Sequence, residues 1–386
     1  MKNTRIRTML LAGAMLASAG FVSCRDDNEQ TVDDEFAAQV AEQFVDHTVA
    51  PTYTALAAKA EQLADQLVAL RKSATDAGVE AACQTFLEAR EQWEKSEAFL
   101  FGAAGDFGID PHIDSWPLDE DAFRTLMYES PAMIAALDGE DGDVVAGERL
   151  GNALLGFHGL EYILFADGKA KKASAITENE WIYAAAVAGD LRNRCYQLEV
   201  GWLGDKAPKN HIDKLKELEM AYTVAGGDYS YGENMKNAGK PGSTYASRIA
   251  ALMAIVQGCS DIADEVGSSK IYAAWNGEDI TYIESPYSQM SIVDFANNVI
   301  SIRNAYMGGV EGQRDESKSL HDFVKKHDAS IDGHVTTAIE NALAKINAMP
   351  APFVLHYAEA ANGAAVEACA ELSDALAEIN NMLREL

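Results

Sequence analysis

Residues 156–165 read GFHGLEYILF. At 100° per residue, His158, Glu161, Tyr162 and Phe165 share one face with Leu154 and Gly151 from the preceding turn. Phe157, Leu160, Ile163 and Leu164 cover the other face. The run is apolar nearly all round, so it reads as a buried central helix within an expected helix over 143–166. Its glycines, Gly151, Gly156 and Gly159, each cost a helix roughly 1 kcal/mol against alanine. Close approach of a neighbouring backbone would offset that cost. A buried ionised carboxylate is expensive unless it is paired or holds a metal. Glu161 therefore needs a partner inside the protein.

The helical period extends through the rest of the body. Helices are expected over 34–70 with Pro51 as a kink or break, over 76–102, and over 119–137 with an interruption near Pro131. Further helices are expected over 177–202, 243–266, 288–307, 317–348 and 351–385. Val, Ile and Thr never alternate with polar residues over a useful length, so no sheet is expected. The Gly-rich, polar stretch at 225–242 reads as a linker. The expectation is an all-α protein of two helical bundles, each of roughly four helices, over 34–224 and 243–386, with a site at their interface.

The chain has 386 residues, is 48% hydrophobic and carries a net charge of −29. A nucleic-acid partner is excluded, because a phosphate backbone demands a basic face. Residues 1–24 read as a secretory signal: a basic start, a short apolar run, then Ser23–Cys24. That ending resembles a bacterial lipoprotein processing site, with Cys24 as the lipidated residue and 25–33 as a polar tether. The expected location is the bacterial outer membrane, facing the periplasm or the cell surface, through a lipid anchor. Cys83, Cys195, Cys259 and Cys369 are far apart with no CxxC, which excludes a zinc ribbon. Each sits in an apolar helical pattern and reads as an isolated buried thiol.

The expected helix 76–102 supplies partners for Glu161. With Glu97 as reference, Cys83, Phe86, Arg90, Trp93, Glu94 and Phe101 fall within about 60° of it. Glu94 and Glu97 thus lie on the apolar face beside Arg90, unlike the surface pair Glu91–Lys95. Residues at i and i+3 on a bundle helix can aim at one ion, so inward Glu-x-x-Glu and His-x-x-Glu pairs can build a metal site. The intervening DPHIDSWPLD adds Asp110, His112, Asp114 and Asp119 on irregular backbone. The plainer readings stand beside these. Glu94 could pair with Arg90, Glu97 could be a buried acceptor, and His158 a core histidine. The loop aspartates could be caps and turn formers, with Asp119 before EDAF the clearest cap.

WEKSEAFLFG, IDPHIDSWPLD and GFHGLEYILF, in this order, resemble the imelysin family. Its Gly-x-His-x-x-Glu signature is matched by Gly156, His158 and Glu161, and SPYSQMSIVDFANNVISIRNAYMGG resembles its second-domain segment. The resemblance covers essentially the whole mature chain. It implies an all-α fold of two bundle-like domains, an envelope location and a tie to iron acquisition. A metal-binding branch has a pattern matched here by Trp93, Glu94 and Glu97, then Asp110, Pro111 and Asp114, then His158 and Glu161. This chain departs from that branch at SWPLD, where an Arg-rich continuation is usual. The implied metal set is His158, Glu161, Glu97, Glu94, Asp110 and Asp114. Arg90, Trp93, Trp116, Asp119 and Tyr162 would surround it. The polar stripe Asn297, Ser301 and Asn304 would face it from the second domain.

Three functions stay open. The first is a lipoprotein that binds a metal ion or an iron-containing ligand, with iron-transport machinery as a partner and no chemistry of its own. Imidazole with carboxylates suits Fe, Zn or Cu. The second is a metallopeptidase with Glu94 or Glu97 as general base. The third is a surface lipoprotein for a non-metal ligand, in which His158 and Glu161 are a hydrogen-bonded pair.

Overall fold

The structure is a computed structural model that describes residues 27–386. The expected signal segment 1–24 and its Cys24 lie outside the described residues. The first half carries α1 (Asp27–Phe44), α2 (Ala50–Lys72), α3 (Asp76–Glu94), α4 (Ala103–Asp106), α5 (Asp110–Ile113) and α6 (Glu120–Glu129). It continues with α7 (Pro131–Leu137), α8 (Gly142–Arg149), α9 (Gly156–Leu164), α10 (Glu178–Leu203), α11 (Lys209–Glu217) and α12 (Tyr231–Lys236). The second half carries α13 (Arg248–Glu265), α14 (Tyr272–Trp275), α15 (Ser291–Tyr306), α16 (Leu320–His327), α17 (Ala329–Asn347), α18 (Phe353–His356) and α19 (Gly363–Glu385). Among the described residues the only strands are β1 (Phe165–Ala166) and β2 (Lys169–Ala170), a short antiparallel hairpin. The fold is all-α, as expected. No helix among the described residues is long and apolar enough to cross a membrane.

Pro51 does not break the first helix. Proline lacks an N–H and its ring crowds the carbonyl four residues back, here that of His47. The chain answers with a π-helical turn at Val45–Val49 between α1 and α2. The freed His47 carbonyl accepts a hydrogen bond from Val310 N at 2.8 Å. The helix also starts at Asp27, inside the expected tether.

α10 is buried on almost every side, packed by α2, α8, α9, α11 and α12. In the second half, α13, α15, α17 and α19 pack on one another, and α1 crosses over to lie on α13 and α16. α15 runs against both α3 and the 3₁₀ turn Glu97–Phe99, and α13 lies against that same turn. This last approach needs a residue without a side chain. A Cβ on Gly258 would come within 2.3 Å of the Ala98 carbonyl. The four cysteines are free and buried, as the sequence indicated.

Several expected helices are shorter or divided. α3 ends at Glu94 rather than near 102, because Ser96 N and Oγ both turn back onto the Trp93 carbonyl at 2.8 and 2.7 Å. Glu97 therefore stands on the following turn. The expected helix 143–166 is interrupted between α8 and α9, so Gly151 and Leu154 do not share a helix with His158. Gly156 has φ +67°, and a Cβ there would lie 1.8 Å from the Ile113 carbonyl. That glycine does provide close backbone approach, to α5. Gly159 instead makes room for the Tyr183 hydroxyl, while Gly151 meets nothing. Asp328 divides 317–348 by capping α17, accepting from Ser330 N and Ile331 N. Inside the expected linker, Ser230 and Glu233 form a reciprocal cap that starts α12.

Gly156→Ala should therefore be severe. The left-handed φ and the overlap with Ile113 together predict a loss of about 3 kcal/mol or more in chemical denaturation. A loss under about 1 kcal/mol would show that α5 yields freely to α9.

Candidate functional site

The close contact of Gly156 with Ile113 fixes where Asp114 stands, directly after α5. Its carboxylate is the hub of the site. Trp93 Nε1 donates to Oδ2 at 2.6 Å, and Arg90 Nη1 is hydrogen-bonded to Oδ1. His158 Nε2, on the first turn of α9, lies 3.1 Å from Oδ1.

Arg90 is only 2% exposed and gathers acids from both halves of the chain. Its Nη2 lies 2.5 Å from Glu94 Oε1 and 2.6 Å from Glu284 Oε1, and its Nε is 3.7 Å from Asp294 Oδ2. Its guanidinium also sits 5.3 Å from the centre of the Phe157 ring. Lys270 Nζ adds a second buried cation, 3.2 Å from Glu284 Oε2 and 3.9 Å from Glu94 Oε2. Asn298 Nδ2 donates to Glu94 Oε2 at 2.5 Å, and Ser285 Oγ to Asp294 Oδ2 at 2.5 Å. Glu161 Oε1 accepts from both N and Oγ of Ser288 at 2.7 Å, which answers the need for an internal partner.

Glu284 and Ser288 ride on the irregular segment between α14 and α15. Ser285 and Gln289 there hold positive φ, +50° and +61°. The hairpin β1–β2 braces this segment: Gly168 N donates to the Tyr287 carbonyl at 2.9 Å. Trp116 covers His158 with ring centres 4.6 Å apart, and Tyr287 packs edge-on to Trp116 and to Tyr162.

A cavity of about 250 Å³ opens onto this cluster. Glu97, Asp110, Asp114, Glu265 and Glu284 line it, with Lys270, Trp116 and Tyr282. Glu94, His158 and Glu161 lie behind, fully buried. Glu97 is 7% exposed and makes no hydrogen bond or ion pair with another described residue.

Carboxylates outnumber cations here, and the proton affinities reflect it. Burial, against the pull of Arg90 and Lys270, pushes the Glu94 carboxyl up to about 8. Burial and the neighbouring acids push Asp110 to about 7, and burial pushes Asp294 to about 7. Burial likewise raises Glu97 and Glu265. Asp114 goes the other way. Burial works to raise it, but Arg90 and His158 outweigh burial and hold it below the usual carboxylate range. Burial disfavours the His158 imidazolium too, yet Asp114 and Glu161 raise it to about 9. His158 Nδ1 lies 3.5 Å from Glu161 Oε2, but neither ring nitrogen has a well-aligned hydrogen bond.

Two trios could hold an ion. Asp114, His158 and Glu284 each offer one ligand atom within 4.8 Å of the others, and so do Glu94, Glu97 and Asp114. Such spacing suits metal–ligand bonds of about 2.0–2.2 Å after small side-chain movements. The buried atoms Glu94 Oε1, His158 Nδ1 and Nε2, Glu161 Oε2 and Glu284 Oε2 lack hydrogen-bond partners among the described residues. A cation that displaces the protons held by His158 and Glu94 would find imidazole and carboxylate lone pairs there.

A family model described as imelysin matches residues 49–380. The chain belongs to the imelysin family. It is 28% identical over 270 residues to iron-regulated protein A of Synechococcus elongatus, covering 70% of this chain and 64% of that protein. This chain thus spans less than two thirds of that relative's length. A crystal structure from Parabacteroides distasonis, described as a candidate iron-regulated protein A precursor, is 28% identical with a TM-score of 0.75. That match covers 91% of this chain and 95% of the other. An imelysin-like protein from Psychrobacter arcticum shares the fold, with a TM-score of 0.55 at 16% identity over 90% of this chain and 93% of its own.

The imelysin signature residues His158 and Glu161 converge with Asp114, Glu94, Arg90 and Trp93, while Glu97 and Asp110 line the cavity. Trp116 and Tyr162 flank the site. Asp119 stands apart as the cap of α6, accepting from Ala122 N at 2.8 Å. Asn297, Ser301 and Asn304 are buried but do not line this cavity. Ser301 Oγ accepts from Ala98 N at 3.0 Å, and Asn304 Oδ1 accepts from Arg314 at 3.1 Å. The same helix instead brings in Asp294 and Asn298. Sequence reasoning missed these two, along with Glu284, Lys270 and Ser288. Lys270 carried only a weak signal, a lone lysine directly before the apolar stretch IYAAW. Glu284, in YIESPYS, carried none.

Arg90→Met leaves several buried carboxylates uncompensated. It should cost about 3–5 kcal/mol in denaturation at neutral pH. A second expectation concerns pH. Acids with raised folded values contribute stability that is lost as pH rises through those values, about 7 for Asp110 and Asp294 and about 8 for Glu94. The raised His158 loses its contribution through about 9, in the same direction. The melting temperature of the metal-free protein should therefore fall between about pH 6 and pH 9, and a flat profile would contradict the charge balance described here.

Proposed function

We propose that this imelysin-family chain binds a divalent metal ion or an iron-containing ligand and serves bacterial iron uptake as an accessory or receptor. In this reading Cys24 carries a lipid that holds it at the outer envelope, beside transport machinery, and it performs no chemistry on its cargo. One observation carries the metal reading: two possible ligand trios share Asp114 at a cavity where buried carboxylates outnumber the cations that face them. Asp114, His158 and Glu284 would hold the ion, with Glu94 and Glu97 as the all-carboxylate alternative. A mixed imidazole and carboxylate set suits Fe, Zn or Cu. The iron role rests on the name of the Synechococcus relative, which the family membership supports.

In the metal-free protein, Arg90 and Lys270 neutralise the carboxylates that the ion would take. Trp116 packs over His158, which is buried. Ser288 holds one oxygen of Glu161 and leaves the other directed towards the histidine.

The test is direct. Residues 25–386 are exposed in turn to Fe(II), Zn(II) and Cu(II), and bound metal is measured by mass spectrometry. A His158→Ala, Glu284→Gln double variant, shown to be folded by circular dichroism, is the comparison. Near-stoichiometric metal in the parent and a trace in the variant is the expected outcome. Equal traces in both would overturn the reading. Peptide hydrolysis by the loaded parent, absent in the variant, would replace it with a metallopeptidase.

A further inference from the structure

We propose that Lys270 is an internal stand-in for the bound cation: its ammonium occupies the cavity's carboxylates in the metal-free protein and a divalent ion displaces it. The inference rests on the metal-binding reading above and adds how the site admits one class of ion.

Lys270 touches one member of each ligand trio. Its Nζ lies 3.2 and 3.4 Å from the two oxygens of Glu284, and 3.9 Å from Glu94 Oε2. Charge-assisted N–H···O bonds normally close to about 2.7–2.9 Å. Arg90 reaches Glu94 and Glu284 at 2.5 and 2.6 Å. The arginine is thus clamped, while the lysine is shared among carboxylates and clamped to none. The chemistry of the two side chains agrees. A guanidinium fork is planar and always charged, whereas an ammonium is a point charge on a flexible stem.

The surroundings allow the ammonium to leave. Lys270 is 6% exposed, yet it lines the cavity of about 250 Å³, so an entering ion meets it directly. It stands on a π-helical turn, Val266–Ile271, between α13 and α14. Such turns insert one residue into a helix at a cost in regularity and recur at functional positions. Nearby, Glu97 is buried, lines the same cavity and makes no hydrogen bond or close ion pair with another described residue.

The exchange has a consequence for selectivity. A monovalent ion that replaces an ammonium gains no charge at the site. A divalent ion gains one full unit against the same carboxylates, in surroundings where water screens little. Lys270 would thus reject Na⁺ and K⁺ while yielding to a divalent metal.

The experiment compares the parent with Lys270→Met and Lys270→Gln, each in residues 25–386, by calorimetric titration with Zn(II) and by thermal melting with and without Zn(II). Both variants should bind Zn(II) at least about tenfold more tightly than the parent, the worth of one charge-assisted contact no longer competed for. High Na⁺ should weaken Zn(II) binding more in the variants than in the parent. Variants that fold only when Zn(II) is present would support the exchange as well. Folded variants with unchanged or weaker affinity would overturn it, as would variants that fold under no condition. Zn(II) binding by the variants but not by the parent would overturn the exchange, because the lysine would then hold the site against a divalent ion. No binding by any of them would sink both.

Discussion

The contact between the Arg90 guanidinium and the Asp114 carboxylate is the constraint on which the interior depends. Both groups are buried, and each is expensive to keep from water unless its charge is met. Arg90 meets it by holding three acids from separate stretches of chain, at 94, 114 and 284. The elements carrying those acids cannot move apart without stranding charge. Helices α3, α5, α9 and α15 and the segment before α15 are tied to one point, and apolar packing fills in around them.

The tie is useful because it is incomplete. A structure built for stability alone would balance such a cluster or replace it with hydrocarbon, which is often neutral or stabilising. Here the acids exceed the cations, several carboxyls hold protons near neutral pH, and some acceptor lone pairs go unused. Departures of this kind from stable design tend to mark function. The cavity puts the surplus negative charge where a solute can reach it.

How much of this was legible in the sequence follows from how each residue is held. Glu94, His158 and Glu161 stand on α3 and α9, where the helical period announces a buried face. Arg90 was visible on the same ground. Asp114 and Asp110 were legible only as acids in a turn, since their aim depends on the contact of Ile113 with Gly156. Glu284 and Ser288 sit on aperiodic backbone, where a sequence carries no directional information. The stripe Asn297, Ser301 and Asn304 was a true polar face, but Ser301 is bonded to the Ala98 main chain and Asn304 to Arg314, and none of the three lines the cavity at Asp114. The break before α9 was missed because a glycine inside an apolar run can serve helix packing or end the helix. Only the position of Ile113 decides which.

The distribution of the site along the chain has a further consequence. Arg90, Glu94, Asp114, His158 and Glu161 are all made before residue 165, while Lys270, Glu284, Ser288, Asp294 and Asn298 are made after residue 269. A ribosome that has released only the first portion has delivered a cluster of charges without the groups that later enclose them. Until the stretch 270–298 arrives, water must fill those places. Drying of this interior therefore waits for the second half of the chain, and a chain truncated before residue 270 would keep a wet and charged centre.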